Sequence, residues 1–338
     1  MPRYLIFFNF PPDRDPGDEY PCCYRKLIEN NLYLQVPSGS LAFITVFFIA
    51  ENQNELAMKL PPSIQQVLDD KVSGSVTLLN RLMIALENEL MDHELDPATF
   101  ISYIEQVHRK MELFTVIRHF CEELILTHNI SVRNYPANYL EFIHEYKAFW
   151  ERAPQLLKNN LLRLARLKNS TVMLHSNSGT VIEVFRLLSE EQVEMKVIQT
   201  LSAPAEEGRI QAMELAEMGY QVQLIPDALA GEMMRQTNYL VLAADQVRKN
   251  VIVNKVGTLQ MVLAANEFSV PVFVLTESRK INRNAEDVPF RDRPREDKEI
   301  LKDTLHPNIS ALNRYFEEIP RHLAGTIITE KMILDPDA

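Results

Sequence analysis

The stretch Thr237–Leu275, TNYLVLAADQVRKNVIVNKVGTLQMVLAANEFSVPVFVL, decides the fold. It reads as an apolar strand, a loop carrying Asp245, Asn254 and Lys255, a helix opened by Gly257, and a second apolar strand. YLVLAA is apolar on both faces, which places it centrally in a parallel sheet. Asp245 falls where that strand ends. Open α/β sheets bind ligands outside the carboxyl ends of their strands. A carboxylate, an amide and an ammonium are therefore expected where a small polar or phosphorylated ligand would sit.

Working outward, the same alternation runs from Ser170 to the end of the chain. TVMLHS leads into a helix from Gly179, and MKVIQT into a helix over EEGRIQAMELAEMG. QVQLI leads into a helix from Asp227, and an apolar strand returns at Thr326–Thr329. A βαβα order predicts a doubly wound, mainly parallel sheet. The charge-dense stretch Arg279–Lys302 reads as a solvated loop.

Upstream, residues 63–168 have helical periodicity. Val76, Leu79, Leu82, Met83 and Leu86 recur at three and four residues. Asp96 and Pro97 suit an N-cap and a first helical position. The helix they open is expected to run through FISYIEQVHRKMELFTVIRHFCEELIL, and Pro136 or Pro154 to break or restart the next. The scattered histidines His108, His119 and His144 do not make a metal site. Residues 1–58 differ again, with PPDRDPGDEYPCC followed by the apolar run LAFITVFFIA. The expected organisation is an atypical, dispensable extension (1–58), a helical domain (59–168) and an α/β phosphate-ligand-binding domain (169–338).

The 338 residues suit about two domains on a rough 150-residue prior, and the 46% hydrophobic content supports a large core. A net charge of −11 argues against direct binding of nucleic acid or an anionic membrane. Three cysteines, Cys22, Cys23 and Cys121, form neither a disulfide framework nor a zinc pattern and suit a reducing cytoplasm. The longest apolar run has 10 residues, well short of the ~20 that span a bilayer.

Three turns carry chemistry. Leu174–Thr180 (LHSNSGT) joins a strand to a helix, so Ser176, Asn177, Ser178 and Gly179 form either a plain N-cap or an anion site. No Lys follows the Gly, which excludes a Walker loop. TLSAPAEEGR (Thr200–Arg209) puts Arg209 in a first helical turn, where a bare cation opposes the helix dipole. Arg209 therefore serves a ligand or pairs with an acid such as Glu206. The third turn, with Lys71, Ser73, Gly74 and Ser75, could bring a further helix N-terminus to a cleft between the domains.

In this order the motifs LHSNSGT, TLSAPAEEGR, DALAGEMM, AADQV…VNKVGT and NRYFEEIP…IITE resemble one superfamily over residues 60–330. It contains the regulatory subunits of eukaryotic initiation factor 2B, methylthioribose-1-phosphate isomerase and ribose-1,5-bisphosphate isomerase. The resemblance implies a Rossmann-like sheet domain, no cofactor, and a homodimer or larger assembly. In the isomerases, a Cys in the first turn and an Asp after the later strand move the proton. Here those positions are Ser176 and Asp245. Serine is a poor replacement for a thiol in acid–base work. The isomerases' phosphate-gripping Arg-Gly-Ala turn falls on Ser73-Gly74-Ser75, with Lys71 nearby in place of the Arg. The resemblance therefore implies a phosphorylated sugar or nucleotide as ligand, held also by Arg209, Asn254 and Lys255, with weak or no catalysis and a translation factor as a possible partner. The alternative is an aldose–ketose isomerase of a phosphorylated pentose with Asp245 as base.

Overall fold

The computed structural model describes residues 59–335, apart from 71–73, 93–94, 112–113, 131–133, 283–289, 291, 293–294, 302–305 and 307. The expectations for residues 1–58, Lys71 and Ser73 lie outside the described residues. Two compact units result. The first takes its described residues from 59–70, 82–110 and 120–145, the second from 74–81, 111–119 and 146–335.

The first unit is helical. Helices α1 (Pro62–Asp69), α2 (Ser75–Met91), α3 (Pro97–Lys110), α4 (Thr115–Ile130) and α5 (Ala137–Leu164) supply it in whole or in part. Its core includes Leu82, Met83, Leu86, Phe100, Ile104, Phe120, Leu124 and Tyr139, all buried. Asp96 Oδ1 caps α3, accepting from the Ala98 and Thr99 amides at 2.9 and 3.1 Å.

One helical expectation is corrected and another is narrowed. The run from Phe100 to Leu126 is not one helix but α3 and α4, joined by a turn in which the Phe114 amide donates to the Met111 carbonyl at 2.8 Å. The basic end of α3 (His108, Arg109, Lys110) already suited a C-terminus. Of the two prolines it is Pro136 that precedes the start of α5; Pro154 does not break the helix, which runs 28 residues through it. Trp150, Ala153, Leu157 and Leu161 around it are buried, so packing outweighs the lost backbone bond.

The second unit holds a seven-stranded sheet. In chain order its strands are β1 (Thr171–Leu174), β2 (Lys196–Thr200), β3 (Gln221–Ile225), β4 (Tyr239–Ala243), β7 (Val272–Leu275), β9 (Thr326–Ile328) and β10 (Ile333–Leu334). The spatial order is β10-β9-β7-β4-β1-β2-β3, parallel except that β10 runs against β9. The YLVLA strand is central, and four of its five residues are buried. Alternate residues serve two cores. Val172, Leu174, Val197, Val241 and Phe273 pack with α5 and with α6 (Gly179–Glu190). Met173, Ile198, Leu240, Leu242 and Val274 pack with α8 (Thr258–Glu267) and the short helix Ala230–Met233. Helix α7 (Gly208–Glu217) follows β2 and buries Leu215 in the first core.

A second, antiparallel sheet joins β5 (Gln246–Val247), β6 (Val251–Lys255) and β8 (Phe316–Pro320) in the order β5-β6-β8. Asn254 and Lys255 thus end a strand rather than occupy a loop, and Lys255 lies opposite Phe316. A two-residue partner strand gives no period-2 pattern to read. The stretch from Arg279 is not wholly solvated either, because Arg279 and Lys280 are buried. Glu277 neutralises Arg279, whose guanidinium lies 4.2 Å from the Trp150 ring centroid. Among the described residues no helix is long and apolar enough to cross a membrane.

Candidate functional site

From β1 the chain moves through β2 and β3 to one edge, and from β4 through β7 and β9 to the other. The order reverses between β1 and β4, which lie side by side with Leu174 opposite Val241. Such a reversal opens a crevice at the carboxyl ends of the two strands. His175 and Ser176 leave β1 there, and Ala244 and Asp245 leave β4.

His175 joins three segments. Its Nε2 lies 3.0 Å from the Val256 carbonyl and its Nδ1 2.6 Å from Thr200 Oγ1. A carbonyl only accepts, so Nε2 carries the proton and Nδ1 accepts from the threonine. Burial lowers the imidazole pKa, which keeps it neutral. Gly257 sits against this ring with φ +103°, where an added Cβ would lie 3.3 Å from Cε1 and Nε2.

Ser176 has φ +67°, and Ser202 and Glu206 opposite it have +64° and +55°. Non-glycine residues rarely adopt this region, and such residues gather where a site is shaped. The Ser176 amide donates to Ser202 Oγ at 2.8 Å, and Ser176 Oγ donates to Glu207 Oε1 at 3.0 Å. Glu207 also binds Lys255, whose Nζ lies 2.8 Å from Oε1 and 3.0 Å from Oε2. The same ammonium stands 4.3 Å from the centroid of the Tyr315 ring. Asp227 holds the β2 turn, accepting from the Ser202 and Ala203 amides at 2.7 Å each.

Asp245 faces the same charges. Loss of solvation raises its carboxyl above the ordinary range and Glu207 adds to this, while Lys280 and Lys255 oppose it. Lys280 is buried and donates to the Ala244 carbonyl at 3.1 Å. The crevice therefore contains two carboxylates, two ammonium groups, a serine hydroxyl and a neutral imidazole beneath them.

The other expected site residues fall as follows. Asn254 is buried and donates to Thr258 Oγ1 at 3.0 Å, and Thr258 in turn donates to the Lys255 carbonyl at 2.6 Å. This arrangement secures the start of α8. The α8 amides of Gly257 and Leu259 donate to Glu317 Oε1 at 2.9 and 2.8 Å. Ser178 is the N-cap of α6, and its own amide donates to Gln211 at 2.8 Å. Asn177 and Gly179 are exposed beside it. Arg209 is exposed and pairs with Glu206 at 2.6 Å, the alternative left open by its position in the sequence. Gly74 and Ser75 open α2, with Gly74 exposed.

Sequence reasoning missed Glu207, His175, Lys280 and Tyr315. Glu207 and His175 stood inside quoted motifs. Glu207 stands two residues before the more conspicuous cation Arg209, and His175 stands beside the hydroxyl of Ser176. Lys280 lies within Arg279–Lys302, the charge-dense stretch that reads as a solvated loop.

The model of the Initiation factor 2 subunit family matches residues 71–336. The chain belongs to that family. Ribose 1,5-bisphosphate isomerase of Pyrococcus furiosus is 33% identical over 175 residues, 49% of this chain and 53% of that one. Methylthioribose-1-phosphate isomerase of Fervidobacterium nodosum is 29% identical over 207 residues, 58% of each chain. The chain thus spans little more than half the length of these curated relatives. Among solved structures, the Pyrococcus horikoshii OT3 translation initiation factor eIF-2B aligns with a TM-score of 0.69 at 24% identity, over 82% of this chain and 98% of that one. A tetrameric eIF2B-beta2-delta2 complex from C. thermophilum gives a TM-score of 0.65 at 16% identity, over 80% of this chain and 92% of that one. At these identities the likeness concerns the fold.

Proposed function

We propose that the chain binds a phosphorylated sugar or nucleotide in the crevice between β1 and β4 and has little or no isomerase activity. It would work in the cytoplasm by assembling with its own copies or a translation-factor partner. One observation carries the reading: the hydroxyl of Ser176, the residue that the resemblance puts in place of the isomerases' thiol, is hydrogen-bonded to Glu207 at 3.0 Å. A hydroxyl held by a carboxylate is a weak acid and a weak base near neutral pH, so it cannot pass a proton as a thiol does. Among the described residues the thiol of Cys121 offers no substitute, because it is buried within α4 and burial raises its pKa.

One feature favours the second reading, an aldose–ketose isomerase. Burial raises the Asp245 carboxyl above its usual range, the direction that makes a carboxylate a stronger base. In that case Asp245 would take the C2 proton, and Ser176 with a water would complete the transfer.

A thermal-shift screen with ribose 1,5-bisphosphate, methylthioribose 1-phosphate, ribose 5-phosphate, AMP and GMP separates the two, with product followed by NMR. A ligand at a hundredfold excess over its Kd adds about 2.7 kcal/mol of stability. Stabilisation without turnover is expected. Turnover that is lost in Asp245→Asn would establish the isomerase instead, and no stabilisation by any of the five would refute the pocket.

A further inference from the structure

Glu207 lies between Lys255 and the solvent. The Lys255 side chain is 2% exposed and that of Glu207 is 22%. Both carboxylate oxygens contact the ammonium, and the Tyr315 ring covers it at 4.3 Å. Ser176 Oγ donates to the same carboxylate. At this end of the crevice a ligand therefore meets an acceptor and a hydroxyl, with the cation already neutralised behind them. A carboxylate accepts hydrogen bonds from sugar hydroxyls and repels a phosphate.

Arg209 does not supply the missing positive charge, because it pairs with Glu206 and both are exposed. Lys280 differs. It is 5% exposed, and among the described residues its ammonium bonds the Ala244 carbonyl and no carboxylate. It sits in the electrostatic field of Asp245 at the end of β4. The crevice is thus asymmetric: at the Ser176 end the ammonium is bound by a carboxylate, and at the other end the Lys280 ammonium, held by a carbonyl, faces the Asp245 carboxyl, which burial pushes toward its neutral form.

We propose that Glu207 determines the specificity of this pocket. It seats the hydroxyls of a sugar at the Ser176–Lys255 end and excludes phosphate there, so that the ligand is a sugar monophosphate with its phosphate at the Lys280 end. The inference rests on the phosphorylated-ligand reading given above.

The test compares ribose 5-phosphate with ribose 1,5-bisphosphate by calorimetry on the full chain. The wild type is expected to bind the monophosphate at least about tenfold tighter, the scale of one unfavourable charge contact. Glu207→Gln exposes an uncompensated Lys255 and should shift the ratio by about tenfold toward the bisphosphate. The double variant Glu207→Gln, Lys255→Gln removes the pair together and should lose that shift. A wild type that binds the bisphosphate as tightly as the monophosphate, or tighter, overturns the proposal, even if Glu207→Gln does not fold. An unchanged ratio in folded Glu207→Gln overturns it too. If the wild type binds neither sugar, the pocket reading itself fails and this inference falls with it. That outcome differs from binding with the wrong preference.

Discussion

Replacing Gly208 with alanine should break the second unit at its most crowded turn. An added Cβ there would lie 1.9 Å from the Thr200 carbonyl oxygen, 2.9 Å from Gln199 Nε2 and 3.0 Å from the Leu201 carbonyl oxygen. The first contact is about 1.5 Å inside ordinary carbon–oxygen separation, and it is with backbone rather than with a flexible side-chain end. The Thr200 carbonyl ends β2 and accepts from Gln199 Nε2 at 3.1 Å and Ser202 Oγ at 3.3 Å, so α7 must move away from the sheet. Overpacking costs about 1–3 kcal/mol, and a backbone clash belongs at the upper end. About 3 kcal/mol corresponds to a Tm loss of about 6–12 °C in a unit of this size. The chain has one tryptophan, Trp150, and it lies in the second unit, so its fluorescence follows this transition. Gly231→Ala is the control. Nothing lies within 4 Å of the added Cβ, and the residue is in a short helix. Alanine should be neutral there or stabilise by about 0.5–1 kcal/mol. The same α7 movement would carry Glu207 away from Ser176 and Lys255, so any ligand should bind Gly208→Ala more weakly. A Gly208→Ala midpoint within about 2 °C of the control would refute the reasoning.

Three further substitutions test other parts of the account. Arg279→Ala leaves Glu277 buried without its cation, so it should cost about 3–5 kcal/mol and change Trp150 emission; an unchanged urea midpoint would show that the pair is dispensable. Asp245→Asn should stabilise the ligand-free protein at pH 7. The folded carboxyl is raised, so its contribution is intact below the unfolded value near 3.9 and is lost as pH rises through the folded value. The gain should shrink toward pH 4, and equal stabilities of variant and wild type at both pH values would refute the burial argument. Ile210 and Met213 are 53% and 66% exposed on α7, an apolar face suited to self-association. Ile210→Glu with Met213→Lys should reduce the mass measured by light scattering, and an unchanged assembly would exclude this face.

The fold was legible where one residue pattern has one physical solution. YLVLAA is apolar on both faces, and only a central strand buries both. Asp96-Pro97 starts a helix because the carboxylate satisfies free amides and proline needs none. A mainly parallel, doubly wound sheet followed from strands alternating with helices, whereas the strand order did not. Legibility ended where local pattern and tertiary packing disagreed. The apolar spacing runs on through Met111–Phe114 although the helix stops there. Pro154 sits inside a helix because Trp150 and Leu157 on either side are buried. The strand β5 is two residues long and makes sense only beside β6.

The site divides along the same line. The sequence puts Ser176 just after one apolar strand and Asp245 just after another, and in the fold those two strands lie side by side. What the site offers a ligand depends on which charge neutralises which, and that is settled across the fold. Lys255 and Glu207 are 48 residues apart in sequence, and nothing local marks them as a pair. Arg209, the more conspicuous cation, turns to Glu206 three residues away, where the helix geometry makes the contact easy. Lys280 carries the opposite lesson. In a charge-dense stretch it reads as solvated, yet the strand before it ends inside the sheet and takes it into the interior. A cation counts toward ligand binding only after its partners within the chain are known. By that criterion the residue to follow in this pocket is Glu207, because its carboxylate determines whether Lys255 can act on anything else.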